Sequence, residues 1–181
     1  MSMIYNRREF IKTAGLLYGS LLLLPGCSSS PGKYIVLTDK EANCLAALCE
    51  RIIPADDYPG ATDAGVIHFI DKQLHLRFPE EKELFRKGIE SLQNWCHANY
   101  GKHFEELDMA LQIDAMQLME KGGMPQEQWT VPAGKFFNKL LDRTMQGFYG
   151  SPRHGGNKDY MSFRMLKLDY PLLIGQNRYR K

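Results

Sequence analysis

Apolar residues fall at helical spacing along most of this chain. Leu45, Leu48, Cys49, Ile52 and Ile53 recur at i, i+3, i+4, i+7 and i+8, the signature of one buried helix face. Ahead of them, Thr38-Asp39-Lys40-Glu41 is a capping box, with Thr38 as N-cap and Glu41 reaching back, and Pro54 ends the run. The ADDYPG stretch that follows is a turn-rich loop. A second helix is predicted from about residue 62 to residue 76, burying Val66, Ile67, Ile70 and Leu74. A third starts near Pro79 with Glu80, Glu81 and Glu83 in its first turn, where acids suit the positive helix end. It buries Leu84, Phe85, Ile89, Leu92, Trp95 and Cys96. A fourth runs from Asp108 to the Gly122-Gly123 pair. A fifth covers residues 133–149, with Phe137, Leu140, Leu141, Thr144 and Phe148 on one side. Only residues 34–37 (YIVL) carry a short strand-like run. The expected fold is all-α: one compact domain of about five helices, then an irregular glycine- and aromatic-rich C-terminal segment. Its expected core includes Leu45, Leu48, Ile52, Ile70, Phe85, Leu92, Trp95, Leu140 and Phe148.

The first 27 residues follow a different pattern. Arg7, Arg8, Phe10 and Lys12, in NRREFIK, look like a twin-arginine export signal, which the twin-arginine translocase reads to carry folded proteins across a membrane. The apolar run that follows covers 12 residues, 13–24. It is too short for a membrane core that needs about 20. Leu24-Pro25-Gly26-Cys27 then resembles a lipobox, with Cys27 as the lipidated cysteine. The alternative is a plain membrane anchor with an incidental cysteine. By resemblance to Gram-negative lipoproteins, Ser28 rather than an aspartate after the cysteine favours the outer membrane, with the protein facing the periplasm. The expected organisation is therefore a signal peptide over 1–26, a tether over 27–37 and a helical domain over 38–181.

Cleavage changes the charge. Removing 26 of the 181 residues leaves 155, and the formal net charge of +2 resides wholly in the leader. A neutral mature chain excludes the overall basic footprint of a nucleic-acid binder. The charge is uneven, however: residues 27–152 carry a net −5 and residues 153–181 a net +5. With Cys27 lipidated, Cys44, Cys49 and Cys96 remain, so at most one internal disulfide can form. Cys44 and Cys49 lie about 140° apart around one helix and are not expected to pair with each other. Either is open to Cys96, or all three are small buried hydrophobes.

The search for chemistry finds little. His68 and His75 share a helix face, and His97 and His103 straddle a helix end, but no H-E-x-x-H, paired C-x-x-C or C-x-x-C-H is present. No dinucleotide fingerprint, phosphate loop or G-x-S-x-G elbow appears. Asp56 and Asp57 are adjacent loop acids, open to a cation or to helix capping. Met109, Met116, Met119 and Met124 suit core filling or an adaptable contact surface. No cofactor site, metal site or catalytic group is expected in this chain. A folded-export leader on such a chain suggests a cofactor carried by a partner that crosses bound to it.

Two blocks give the chain a relative. One spans residues 38–71, with RIIPADD…PGATDAGV its most specific portion; the other is GFYGSPRHGGNKD, residues 147–159. On these the sequence resembles the gluconate 2-dehydrogenase subunit 3 family. The resemblance implies a non-catalytic small subunit of a membrane-bound sugar or polyol dehydrogenase. Its catalytic partner would be a glucose-methanol-choline-type flavoprotein holding FAD, and a cytochrome c subunit with haem c can complete such a complex. The rival readings are an independent lipoprotein module that holds a small ligand, and an enzyme with an unrecognised helical site. Within the second block, Phe148, Tyr149, Arg153, His154 and Asn157 are the candidate partner-facing residues, being aromatic and arginine-rich among glycines. The alternative is an internal turn, with Arg153 pairing the acidic body of the same chain.

Overall fold

The computed structural model describes residues 33–168, which form one helical unit. Arg7, Arg8, Phe10, Lys12 and Cys27 lie outside the described residues. Six α-helices appear in order: α1 (Asp39–Ile52), α2 (Val66–Leu76), α3 (Lys82–Tyr100), α4 (Met109–Glu120), α5 (Ala133–Tyr149) and the short α6 (Met161–Met165). Short 3₁₀ turns at Pro79–Glu81, Phe104–Glu106, Pro152–His154 and Lys158–Tyr160 link them. The described residues contain no strand, and no helix among them is long and apolar enough to cross a membrane.

The helix ends obey local chemistry. The Thr38 hydroxyl accepts the Glu41 backbone N–H at 3.3 Å, and the Glu41 carboxylate accepts the Thr38 N–H at 2.8 Å. Asp108 caps α4 by accepting the Leu111 N–H at 2.9 Å. α3 stops at Gly101, which adopts the left-handed conformation common at C-caps. α2 starts at Val66, four residues after the predicted start, because residues 61–65 close into turns and Gly65 holds a left-handed φ of 70°.

α5 is the central helix and packs against α1, α2, α3 and α4. It buries Ala133, Phe136, Phe137, Leu140, Arg143, Thr144, Gly147 and Phe148. Phe136 meets Phe85 of α3 edge to face at 5.8 Å between ring centroids. The buried face is rotated from the predicted one. Phe136 and Arg143 point inward, while Leu141 is 37% exposed. Ile52, Ile53 and Leu84, expected in the core, are only half-buried and pack at its margin. The other expected core residues are buried.

Cys44, Cys49 and Cys96 are buried free thiols. Cys49 lies 3.2 Å from the Thr144 hydroxyl. Burial pushes its thiol up to about 12, against a smaller lowering by Thr144, and burial likewise pushes Cys96 up to about 12. These groups stay protonated at neutral pH and pack as small apolar side chains.

Residues 34–37 form no strand. The buried Asp71 carboxylate of α2 instead accepts three successive backbone N–H groups, from Ile35 at 2.7 Å, Val36 at 2.8 Å and Leu37 at 3.0 Å. Tyr34 stacks on His68 at 5.4 Å. The last residues assigned to the tether are thus clasped to α2 through Asp71.

Candidate functional site

The two sequence blocks meet in space. The first winds around one carboxylate. Glu50, near the end of α1, accepts the Ala55 N–H at 2.9 Å and the Thr62 N–H at 3.0 Å. Burial alone would raise its pKa, but these hydrogen bonds and the Arg51 charge outweigh it and hold the carboxyl below its ordinary value. Gly60 lies against this carboxylate, where a Cβ would come within 2.6 Å of the Ala55 nitrogen. Asp56 accepts the Tyr58 N–H at 2.8 Å, and Asp63 accepts the Gly60 N–H at 3.2 Å. Asp56 therefore shapes its own loop rather than capping the next helix. This loop delivers Ala61, Ala64 and Val66, all fully buried, to the start of α2.

The second block closes over that start. Gly147 sits against Phe69 and Val66 of α2, with a notional Cβ 2.9 Å from Phe69 Cδ1. The chain turns at Gly150 and returns, so that Gly156 lies on the Gly147 carbonyl. The Lys158 N–H then donates to the Ala64 carbonyl at 3.1 Å. Asn157 locks the return. It is 0% exposed and adopts a left-handed φ of 46°, which asparagine tolerates better than most residues. Its side-chain amide donates to the Gly150 carbonyl at 2.8 Å, and its side-chain oxygen accepts the Ser162 N–H at 2.9 Å.

The five candidate partner-facing residues therefore divide. Phe148 (1% exposed) and Asn157 are inside, where they hold the motif on α2. Tyr149, Arg153 and His154 are exposed. Arg153 donates its Nε to the Ser151 hydroxyl at 3.1 Å and forms no ion pair with a described carboxylate. The internal-turn alternative thus describes the backbone of the motif, though not the expected pairing of Arg153.

A buried ion pair beneath the motif escaped the sequence reading. Arg143 of α5, 3% exposed, donates Nε and a terminal nitrogen to the two Glu81 oxygens at 2.9 and 2.7 Å. Lys139 reaches the same carboxylate at 3.0 Å, and the Arg143 guanidinium lies 3.6 Å from the Phe78 ring centroid. The signal was a charged residue at an inward position of the α5 repeat. His68, His75, His97 and His103 are exposed, and no three metal-ligating side chains cluster among the described residues. Met116, Met119 and Met124 fill the core, whereas Met109 is exposed.

The geometry is that of a hydrogen-bonded scaffold that leaves Tyr149, Arg153 and His154 at the surface. No curated protein and no solved structure matches the chain. The family model for gluconate 2-dehydrogenase subunit 3 matches residues 39–169, which spans all six helices and both glycine-bearing blocks. The chain therefore belongs to the gluconate 2-dehydrogenase subunit 3 family, whose name makes it a component of an oxidoreductase complex.

Proposed function

We propose that this chain is the non-catalytic small subunit of a periplasmic, flavin-dependent gluconate or sugar dehydrogenase. It escorts the FAD-bearing catalytic subunit through folded export, supports its assembly, and anchors it to the membrane through lipidated Cys27. The observation that carries the reading is the family match over residues 39–169. It is supported by the use of both family-resembling blocks as scaffold, with Glu50, Asp56 and Asp63 of the first block accepting from its own backbone. The FAD belongs to a glucose-methanol-choline-type partner, and a haem c subunit would pass its electrons on.

The test is export of a pair. With the flavoprotein co-expressed, replacing Arg7 and Arg8 by lysine should leave both proteins, and the flavin absorbance, in the cytoplasm. Normal export of the flavoprotein with the Lys-Lys variant would overturn the escort role. Anchoring has its own measurement. The mature N-terminus should have the mass of an acylated cysteine, and Cys27→Ala should release the complex from the membrane fraction. An unmodified Cys27 would remove the lipid anchor from this account.

A further inference from the structure

One surface among the described residues combines unpaired cations with an exposed apolar side chain. A groove of about 720 Å³ runs between the C-terminal half of α2 and the returning motif. Phe69 and Phe78 form its apolar floor, and Leu76, 64% exposed, stands in it as an unburied large side chain. Lys72 and Arg77 supply its charge, and His154 adds a polar ring to its wall. No carboxylate lines it, and none of these three side chains is ion-paired to a described carboxylate. This local excess of cations lies on a chain whose residues 27–152 are net −5. Gln146, also in the lining, has its side-chain oxygen occupied by Arg143 at 2.9 Å, so its amide nitrogen remains to donate.

We propose that this groove receives an acidic segment of the catalytic flavoprotein subunit, with one apolar side chain seated against Leu76 and Phe78. The proposal rests on the small-subunit reading and adds the surface and the character of the contact. Charge selects among occupants. The chain's own residues 169–181 carry three basic residues and one acidic, so they would be repelled by Lys72 and Arg77. A second copy of the same face would set cations against cations. A carboxylate-bearing segment neutralises the rim while its apolar residue covers Leu76, the combination of charge complementarity and buried anchor that makes a specific interface. The placement also explains the second block: its buried half fixes the backbone, and its exposed His154 completes the groove wall.

The experiment is titration of the co-expressed flavoprotein against the full chain. The wild type should bind, and binding should weaken with added salt. Lys72→Glu/Arg77→Glu should raise Kd at least about tenfold, and Leu76→Ser should raise it several-fold, at unchanged melting temperature. Lys102→Glu/Lys121→Glu, both exposed and outside the groove lining, changes net charge equally and should leave Kd within about twofold. Should the double variant melt early, Leu76→Ser decides alone. If the wild type does not bind the flavoprotein, the small-subunit reading fails. If it binds and the groove variants bind as well, the groove is overturned while that reading stands. Phosphatidylglycerol vesicles form the last arm: vesicle binding lost in the double variant with flavoprotein binding intact would make the groove a lipid site and sink the proposal.

Discussion

Gly156→Ala should lower the melting temperature by roughly 10 °C, at about 2–4 °C per kcal/mol for a chain of this size. The added methyl would land on the Gly147 carbonyl, 2.9 Å from its carbon and 3.0 Å from Gly147 Cα. Every one of those atoms is backbone, so no side chain can swing aside. α5 cannot retreat either, because Gly147 is itself pressed against Phe69 and Val66. Overpacking of this kind costs about 1–3 kcal/mol and occasionally more. Displacing the return also strains the Asn157 bonds to Gly150 and Ser162 and the Lys158 bond to Ala64, each worth about 1 kcal/mol. Gly101→Ala is the comparison. Gly101 has a φ of 67° but nothing within 4 Å of its notional Cβ, so only the local left-handed cost of about 1 kcal/mol applies. Equal melting temperatures for the two variants would show that the contact with Gly147 does not hold the motif.

The second large effect is expected at Arg143. Its removal leaves the Glu81 carboxylate, 8% exposed, with Lys139 alone. Breaking one side of a buried pair costs about 3–5 kcal/mol, since the remaining charge stays desolvated. Denaturant unfolding of Arg143→Ala should show a loss of that size. Arg143→Met combined with Glu81→Leu should recover most of it, because the pair's net contribution is smaller than the penalty for splitting it. A loss below about 1 kcal/mol in Arg143→Ala would mean that Glu81 reaches water.

The same pair sets a pH dependence. Burial, the largest influence on Glu81, raises its pKa, but hydrogen bonds and charge from Arg143 and Lys139 outweigh it, so the carboxyl lies below its ordinary 4.5. A depressed folded pKa gives stability that is fully present above the unfolded value and is lost as pH falls through the folded value. Glu50 acts in the same direction. Stability should therefore hold from neutral pH down to about 5 and fall below it. In Arg143→Ala the acid limb should be shallower. An identical acid limb in both proteins would remove Glu81 from the account.

The five longer helices were legible in local signals, whereas the short α6 fell in a stretch expected to be irregular. Thr38 with Glu41, Asp108 and the Gly122-Gly123 pair act within a turn or two of their own positions, so their effects are readable without a fold. The same holds for the all-α class and for the family, whose two blocks stand out as strings. Tertiary structure decided which polar groups go inside. Arg143 is tolerable at an inward position only because Glu81, 62 residues away, meets it, and Asp71 only because residues 35–37 present three N–H groups to it. It also decided the rotation of α5. Periodicity marks a stripe but not its centre, and contact with four neighbouring helices places Phe136 inside and Leu141 at the surface. Most of all, it brought the two blocks together. Nothing local tells Gly156 to lie on Gly147, or Lys158 to bond Ala64; the packing of α5 on α2 brings these groups within reach, and only a missing Cβ allows the closest contact.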